Sequence, residues 1–163
     1  MKRIILIIIL VVSQTNLFSQ TKKETYDYLN EKLEIYKLED IKINYIYKFQ
    51  EVQIENENYI NLIVFCTLFS TCTTAYLFQP KNYSTLLIKE KDEAIWVEIH
   101  CKPNSIESEQ FDLETEKRHK GDNKSKMTII LDKNTPVDEI NKIKKAFIHL
   151  LKLYGVEKKD IFD

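Results

Sequence analysis

Ile41-Lys42-Ile43-Asn44-Tyr45-Ile46-Tyr47-Lys48-Phe49-Gln50 is where the chain changes its period. Ile41, Ile43, Tyr45, Tyr47 and Phe49 alternate with Lys42, Asn44, Ile46, Lys48 and Gln50. Successive side chains of a strand point to opposite faces, so this alternation predicts a strand with one face buried. The residues before it keep a different beat. Tyr26, Leu29, Leu33 and Tyr36 recur at helical spacing, and Thr21 with Glu24 three positions later is a capping-box pattern. A helix followed by a switch to period two points to an α+β fold.

Downstream the period of two persists. Asn56-Glu57-Asn58 signals a turn, and residues 60–67 follow with apolar side chains on both faces, as a central strand would have. Ser70-Thr71 can reverse the chain into residues 72–78, and Gln79-Pro80-Lys81-Asn82 forms another turn. Residues 85–89 and 95–101 read as a hairpin around Lys91-Asp92-Glu93. In its second arm Ile95, Val97, Ile99 and Cys101 share a face against Trp96, Glu98 and His100.

The stretch 102–126 separates its charges. Glu107, Glu109, Asp112, Glu114 and Glu116 come first, then Lys117, Arg118, Lys120, Lys124 and Lys126 opposed only by Asp122. Phe111, Leu113 and Thr115 alternate with acids, which predicts a strand from about Gln110, pairing with residues 127–131 around a basic loop at Gly121-Asp122-Asn123. The simplest reading of such a segment is a solvated hairpin. A closing helix begins at Thr135 as N-cap with Pro136 at the first helical position, and Asp138 and Glu139 oppose its dipole. Ile140, Ile143, Phe147, Leu151 and Tyr154 form its apolar stripe, and Gly155 supplies the stop.

The first residues speak to location. Met1-Lys2-Arg3 is a basic start, residues 4–12 are uninterruptedly apolar, and Ser13 to Gln20 is mostly polar. This is the pattern of a secretory signal peptide, since the apolar run is far shorter than the roughly 20 residues that span a bilayer. The expected organisation is a signal peptide over 1–19, removed after Ser19, and a single α+β domain over 20–163, working in the periplasm or secreted. No membrane span is expected once the signal is removed.

Composition excludes several classes of function. The formal charge of -1 becomes -3 without Lys2 and Arg3, 22 basic residues standing against 25 acidic ones. A nucleic-acid binder normally carries a clear basic excess, so nucleic acid is not an expected partner. There are only 2 glycines, Gly121 and Gly155. Phosphate-cradling loops and nucleophile elbows need more glycine than that, because the backbone must approach the ligand closely.

Three cysteines, Cys66, Cys72 and Cys101, lie in the exported part. Simple core thiols, a Cys66–Cys101 disulfide and a Cys66–Cys72 disulfide are all compatible with the sequence. His100 and Cys101 are adjacent on a strand and therefore on opposite faces, so they cannot act as a catalytic pair. Cys66 with His149 has no sequence argument behind it. The acidic run lacks the alternating Asp/Asn ligands and the glycine of a calcium loop, and no spacing matches a zinc site. No catalytic, cofactor-binding or metal-binding residue is therefore assigned, and no cofactor is expected.

The Phe18-Ser19-Gln20 end of the signal, the Thr21-Lys22-Lys23-Glu24-Thr25 opening and the Lys144-Lys145-Ala146-Phe147-Ile148-His149-Leu150-Leu151 close resemble small exported proteins of uncharacterised function from Bacteroidetes. The order of helix, antiparallel strands and closing helix also looks PH-like, a layout that by itself implies no function.

The expected fold is an N-terminal helix, an antiparallel twisted sheet of about six to seven strands and a C-terminal amphipathic helix. The expected function is an exported, non-enzymatic binding or interaction domain with an unknown protein or small ligand as partner. Its expected contact surfaces are an exposed sheet edge and the charged 105–126 hairpin. Two alternatives accompany it: a carrier enclosing an apolar ligand between the aromatic sheet face and Phe147 with Leu151, and a periplasmic immunity-type inhibitor acting through its acidic segment.

Overall fold

The computed structural model describes residues 21–38, 45–68, 70–91, 93–113 and 115–157, with side chains described for all of them except 67, 68 and 70–72. The signal segment, the start of the predicted strand at Ile41 and Ile43, the turn residue Asp92 and the acid Glu114 lie outside the described residues. Two helices and eight antiparallel strands make up the rest: α1 (Lys22–Ile35), β1 (Tyr45–Ile54), β2 (Glu57–Leu68), β3 (Ser70–Phe78), a 3-10 turn (Pro80–Asn82), β4 (Tyr83–Lys91), β5 (Ala94–Cys101), β6 (Ile106–Asp112), β7 (Lys117–Lys120), β8 (Lys126–Asp132) and α2 (Val137–Leu153). The α+β class and the antiparallel pairing follow the sequence pattern.

The strands divide into a five-stranded sheet, β1-β2-β3-β6-β7, and a three-stranded sheet, β4-β5-β8, where the sequence predicts one sheet of six to seven strands. The reason lies in residues 117–132. The first part of this run pairs with β6, Glu109 opposite Lys120 and Asp112 opposite Lys117, so unlike charges face each other across the ladder. Its second part, β8, pairs with β5 and not with the acidic strand as the sequence predicts. Met127, Ile129 and Leu131 are buried, and β5 offers them an apolar neighbour where β6 offers acids. Between the halves, Ile106 and Lys124 exchange backbone hydrogen bonds of 2.9 and 2.8 Å, Gly121 N–H donates to Ser108 at 2.8 Å, and Cys101 N–H donates to Ser125 at 2.8 Å. These bonds join the two sheets.

Gly121 is required at that junction. A Cβ placed on it would lie 2.4 Å from Ser108 Oγ, which is itself held by donating to the Asp122 carbonyl at 2.9 Å. Gly155 does a different job, ending α2 at φ +75°, where a side chain is strained.

One face of the five-stranded sheet and one face of the three-stranded sheet share a core with both helices. Phe147 of α2 is 1% exposed and its ring meets those of Phe49 at 5.7 Å and Tyr83 at 6.0 Å between centroids. Leu29 and Leu33 bring α1 into the same core, and the Tyr26 and Tyr154 hydroxyls lie 3.0 Å apart between the helices. The capping box of α1 forms as its sequence predicts, with Glu24 N–H donating to Thr21 Oγ1 and Thr21 N–H to the Glu24 carboxylate. The start of α2 departs from expectation by one residue. Pro136, not Thr135, is its cap, because the Thr135 hydroxyl donates back to the Asp132 carbonyl at 2.6 Å and closes the turn after β8.

Cys66 on β2 and Cys101 on β5 lie in different sheets and are not joined by a disulfide. The β2–β3 register sets Cys66 opposite Cys72, whose side chain lies outside the described residues.

Candidate functional site

The face of the five-stranded sheet turned away from the helices mixes apolar and charged side chains. Its ladder pairs Ile46 with Phe65, Lys48 with Ile63 and Gln50 with Asn61. Beyond them come Leu77 and Ala75 on β3, and Glu107 and Glu109 on β6. Ile46 is 39% exposed and Phe65 37%, two large apolar side chains open to solvent side by side.

Further along the same face, past the Lys48–Ile63 pair, the surface is concave. A trough of about 340 Å³ is floored by Val52, Ala75 and Leu77 from β1 and β3. Glu107 and Glu109 of β6 and Lys120 of β7 stand at its acidic side. Asn61 sits between, on the central strand β2, and its Oδ1 is buried without a hydrogen-bond partner. The volume is at the lower end of ligand pockets, which run from about 300 to 1,000 Å³.

A second cluster occupies the outer face of the three-stranded sheet. Glu98 of β5 has a side chain only 2% exposed. Its carboxylate accepts from Lys89 at 2.7 Å and from Lys126 at 3.0 Å, and His100 Nε2 lies 3.1 Å away. Lys89 first and Lys126 second hold the Glu98 carboxyl down at about 2, overcoming a desolvation that would raise it. Both lysines remain 43–45% exposed, so the carboxylate lies beneath the stems of its own partners rather than deep in the core. Beside it Lys91 stands 4.1 Å over the Trp96 ring. Each group here is satisfied by another. The cluster reads as a cross-strand clasp, and the trough, where exposed Glu107 and Glu109 edge an apolar floor, is the stronger candidate site.

Several residues weighed from the sequence fall elsewhere. His100 and Cys101 do point to opposite faces: Cys101 is in the core and His100 joins the Glu98 clasp. Phe147 and Leu151, expected to wall an apolar pocket, are packed into the core, so a carrier reading would have to use the outer trough instead. Tyr47 and Phe78 are likewise core, and burial pushes the Tyr47 hydroxyl well above its usual range while it accepts the Ile130 N–H at 3.0 Å. Of the acidic run, Glu107 and Glu109 reach the trough, Asp112 faces Lys117 at the end of β6, and Glu116 sits in the turn with φ 54°.

Among the described residues no three His, Cys, Asp or Glu side chains converge as a metal site would require, and no helix is long and apolar enough to cross a membrane. No protein-family model matches the chain, and neither a curated protein nor a solved structure is detectably similar to it.

Proposed function

We propose that this chain is an exported, non-enzymatic binding domain of the periplasm or cell envelope, and that it binds through the outer face of its five-stranded sheet. The observation that carries the reading is the trough on that face, floored by Val52, Ala75 and Leu77 and edged by Glu107, Glu109 and Lys120. Export rests on the basic start, short apolar run and polar tract of the first residues. The face combines an apolar floor with a few convergent polar groups, the composition of a ligand site.

Native mass spectrometry of the protein purified from the envelope of its own host tests this. The reading expects a retained species, a small molecule or a partner protein, and a denatured mass lacking residues 1–19. Catalytic turnover lost on a single Cys or His substitution would overturn it.

The immunity-type alternative draws support from Glu107 and Glu109, which are exposed on the same face. It is weakened by the opposed pairs Glu109–Lys120 and Asp112–Lys117, which balance much of the acidic charge within the hairpin itself.

A further inference from the structure

Three cysteines leave one thiol over when two of them pair, and the fold separates them two against one. Cys101 is buried in the core on β5, and across its own ladder it faces Tyr83. Cys66 on β2 and Cys72 on β3 share the five-stranded sheet, and the register sets them directly opposite each other. Thr67 pairs with Thr71 and Leu68 with Ser70 beyond them, so the two cysteines stand near the closed end of the hairpin. Directly opposite residues of antiparallel strands have Cα atoms about 4.5–5.5 Å apart and Cβ bonds on the same side of the sheet. A disulfide spans about 4.4–6.8 Å between Cα atoms, so the ladder already holds this pair at bonding distance.

We propose that the exported chain carries a Cys66–Cys72 disulfide while Cys101 stays a thiol, an inference that takes export from the reading above. The structure holds Cys66 as a thiol, so the bond is gained by oxidation. The oxidant is itself a disulfide, of the class that thiol oxidoreductases carry in oxidising compartments. The Cys66 thiolate attacks one of its sulfurs, forming a mixed disulfide and releasing the other sulfur as a thiolate. The Cys72 thiolate then attacks Cys66 Sγ and expels the remaining sulfur. Cys66 and Cys72 together give up two electrons and two protons, and the oxidant leaves as a pair of thiols. Cys66 is only partly buried and open to this exchange, whereas Cys101 is 6% exposed and shielded by the core. The bond ties β2 to β3 next to Phe65, one of the two large apolar side chains left open on the outer face.

Thiol counting on the purified chain tests the assignment independently of export. The reduced protein is incubated with glutathione disulfide, denatured and alkylated with N-ethylmaleimide, and its intact mass is read. The parent should show one alkylated thiol, and all three after reduction. Cys101→Ser should keep the bond, and Cys66→Ser and Cys72→Ser should each lose it. Chymotryptic cleavage after Leu68 or Phe69 should leave two peptides joined through Cys66 and Cys72. The oxidised parent should melt several degrees above the reduced parent, a difference that Cys66→Ser abolishes.

Three thiols still open to alkylation, or carrying glutathione, would overturn the assignment. So would an internal bond that survives Cys66→Ser or Cys72→Ser, or one that Cys101→Ser removes. The same alkylation of protein taken from the host envelope separates the two readings. A mass lacking residues 1–19 with one alkylated thiol supports both. That mass with three alkylated thiols overturns the disulfide and leaves export standing, whereas a full-length mass with three overturns both.

Discussion

The carboxamide of Asn30 on α1 brackets the backbone of Phe49 on β1, its Oδ1 accepting the Phe49 N–H at 2.7 Å and its Nδ2 donating to the Phe49 carbonyl at 3.0 Å. β1 is an edge strand, so these two backbone groups have no ladder partner on that side. One side chain thus satisfies the edge, fixes the register between helix and sheet, and holds the Phe49 ring against Phe147. Asn30→Leu should cost about 1–3 kcal/mol by leaving both groups unpaired. Urea unfolding of the two proteins measures it, and a change below about 0.5 kcal/mol would show that water replaces the amide fully.

The close approach of β7 to β6 predicts a coupling between two residues. Gly121→Ala should destabilise by about 1–3 kcal/mol, because the new methyl group meets Ser108 Oγ. Ser108→Ala removes that oxygen and, in combination, should recover part of the loss. Additive effects in a double-mutant cycle would mean that the strands simply move apart.

Glu98 predicts a pH dependence with a definite sign. Its folded value of about 2 lies below the ordinary 4.5, so its contribution is complete above about pH 5 and fades as pH falls towards 2. Glu98→Gln should cost about 1–2 kcal/mol at pH 7, and the gap to the parent should shrink by pH 3 and close below pH 2. Thermal melts of both proteins across this range provide the comparison. A gap that stays constant from pH 7 to pH 2 would mean that the clasp is packing and not charge.

Phe147 is the centre of the core, and Phe147→Ala should remove about 3–5 kcal/mol, enough to leave a domain of this size marginal. Tyr26→Phe deletes only a hydroxyl facing Tyr154 and should cost about 1 kcal/mol. Similar losses from the two, measured by chemical denaturation, would contradict the packing described.

How far the sequence announced this structure depends on the range of the interaction. The helices were legible because their signals are local: the Thr21 and Glu24 pair, the Ile140 to Leu151 stripe and the Gly155 stop are all set by residues a few positions apart. The β4–β5 hairpin was legible for the same reason. The partner of residues 127–131 was not, because charge alternation in 110–116 suggested one neighbour and the apolar face of β5 supplied another. Asn61 carried no signal at all. A single Asn within the apolar run of β2 looks like an ordinary outward residue until the ladder places Leu77 and Glu107 beside it. The acids of 107–109 were visible as charge, but their place at a trough depended on strand order. Glu98 and His100 were on one face by parity, whereas Lys89 and Lys126 reach them only through cross-strand neighbours on β4 and β8.

The central claim is that the outer face of the five-stranded sheet is where this protein meets its ligand, and Ala75→Arg tests it most directly. Ala75 is on the floor of the trough and half-exposed, so an arginine there fills the space without entering the core. Both proteins would be purified from the same envelope fraction, checked for equal melting temperature, and weighed by native mass spectrometry. The account predicts a retained species on the parent and a bare chain for the variant. The same added mass on both, with folding unchanged, would contradict it and move the contact to another surface.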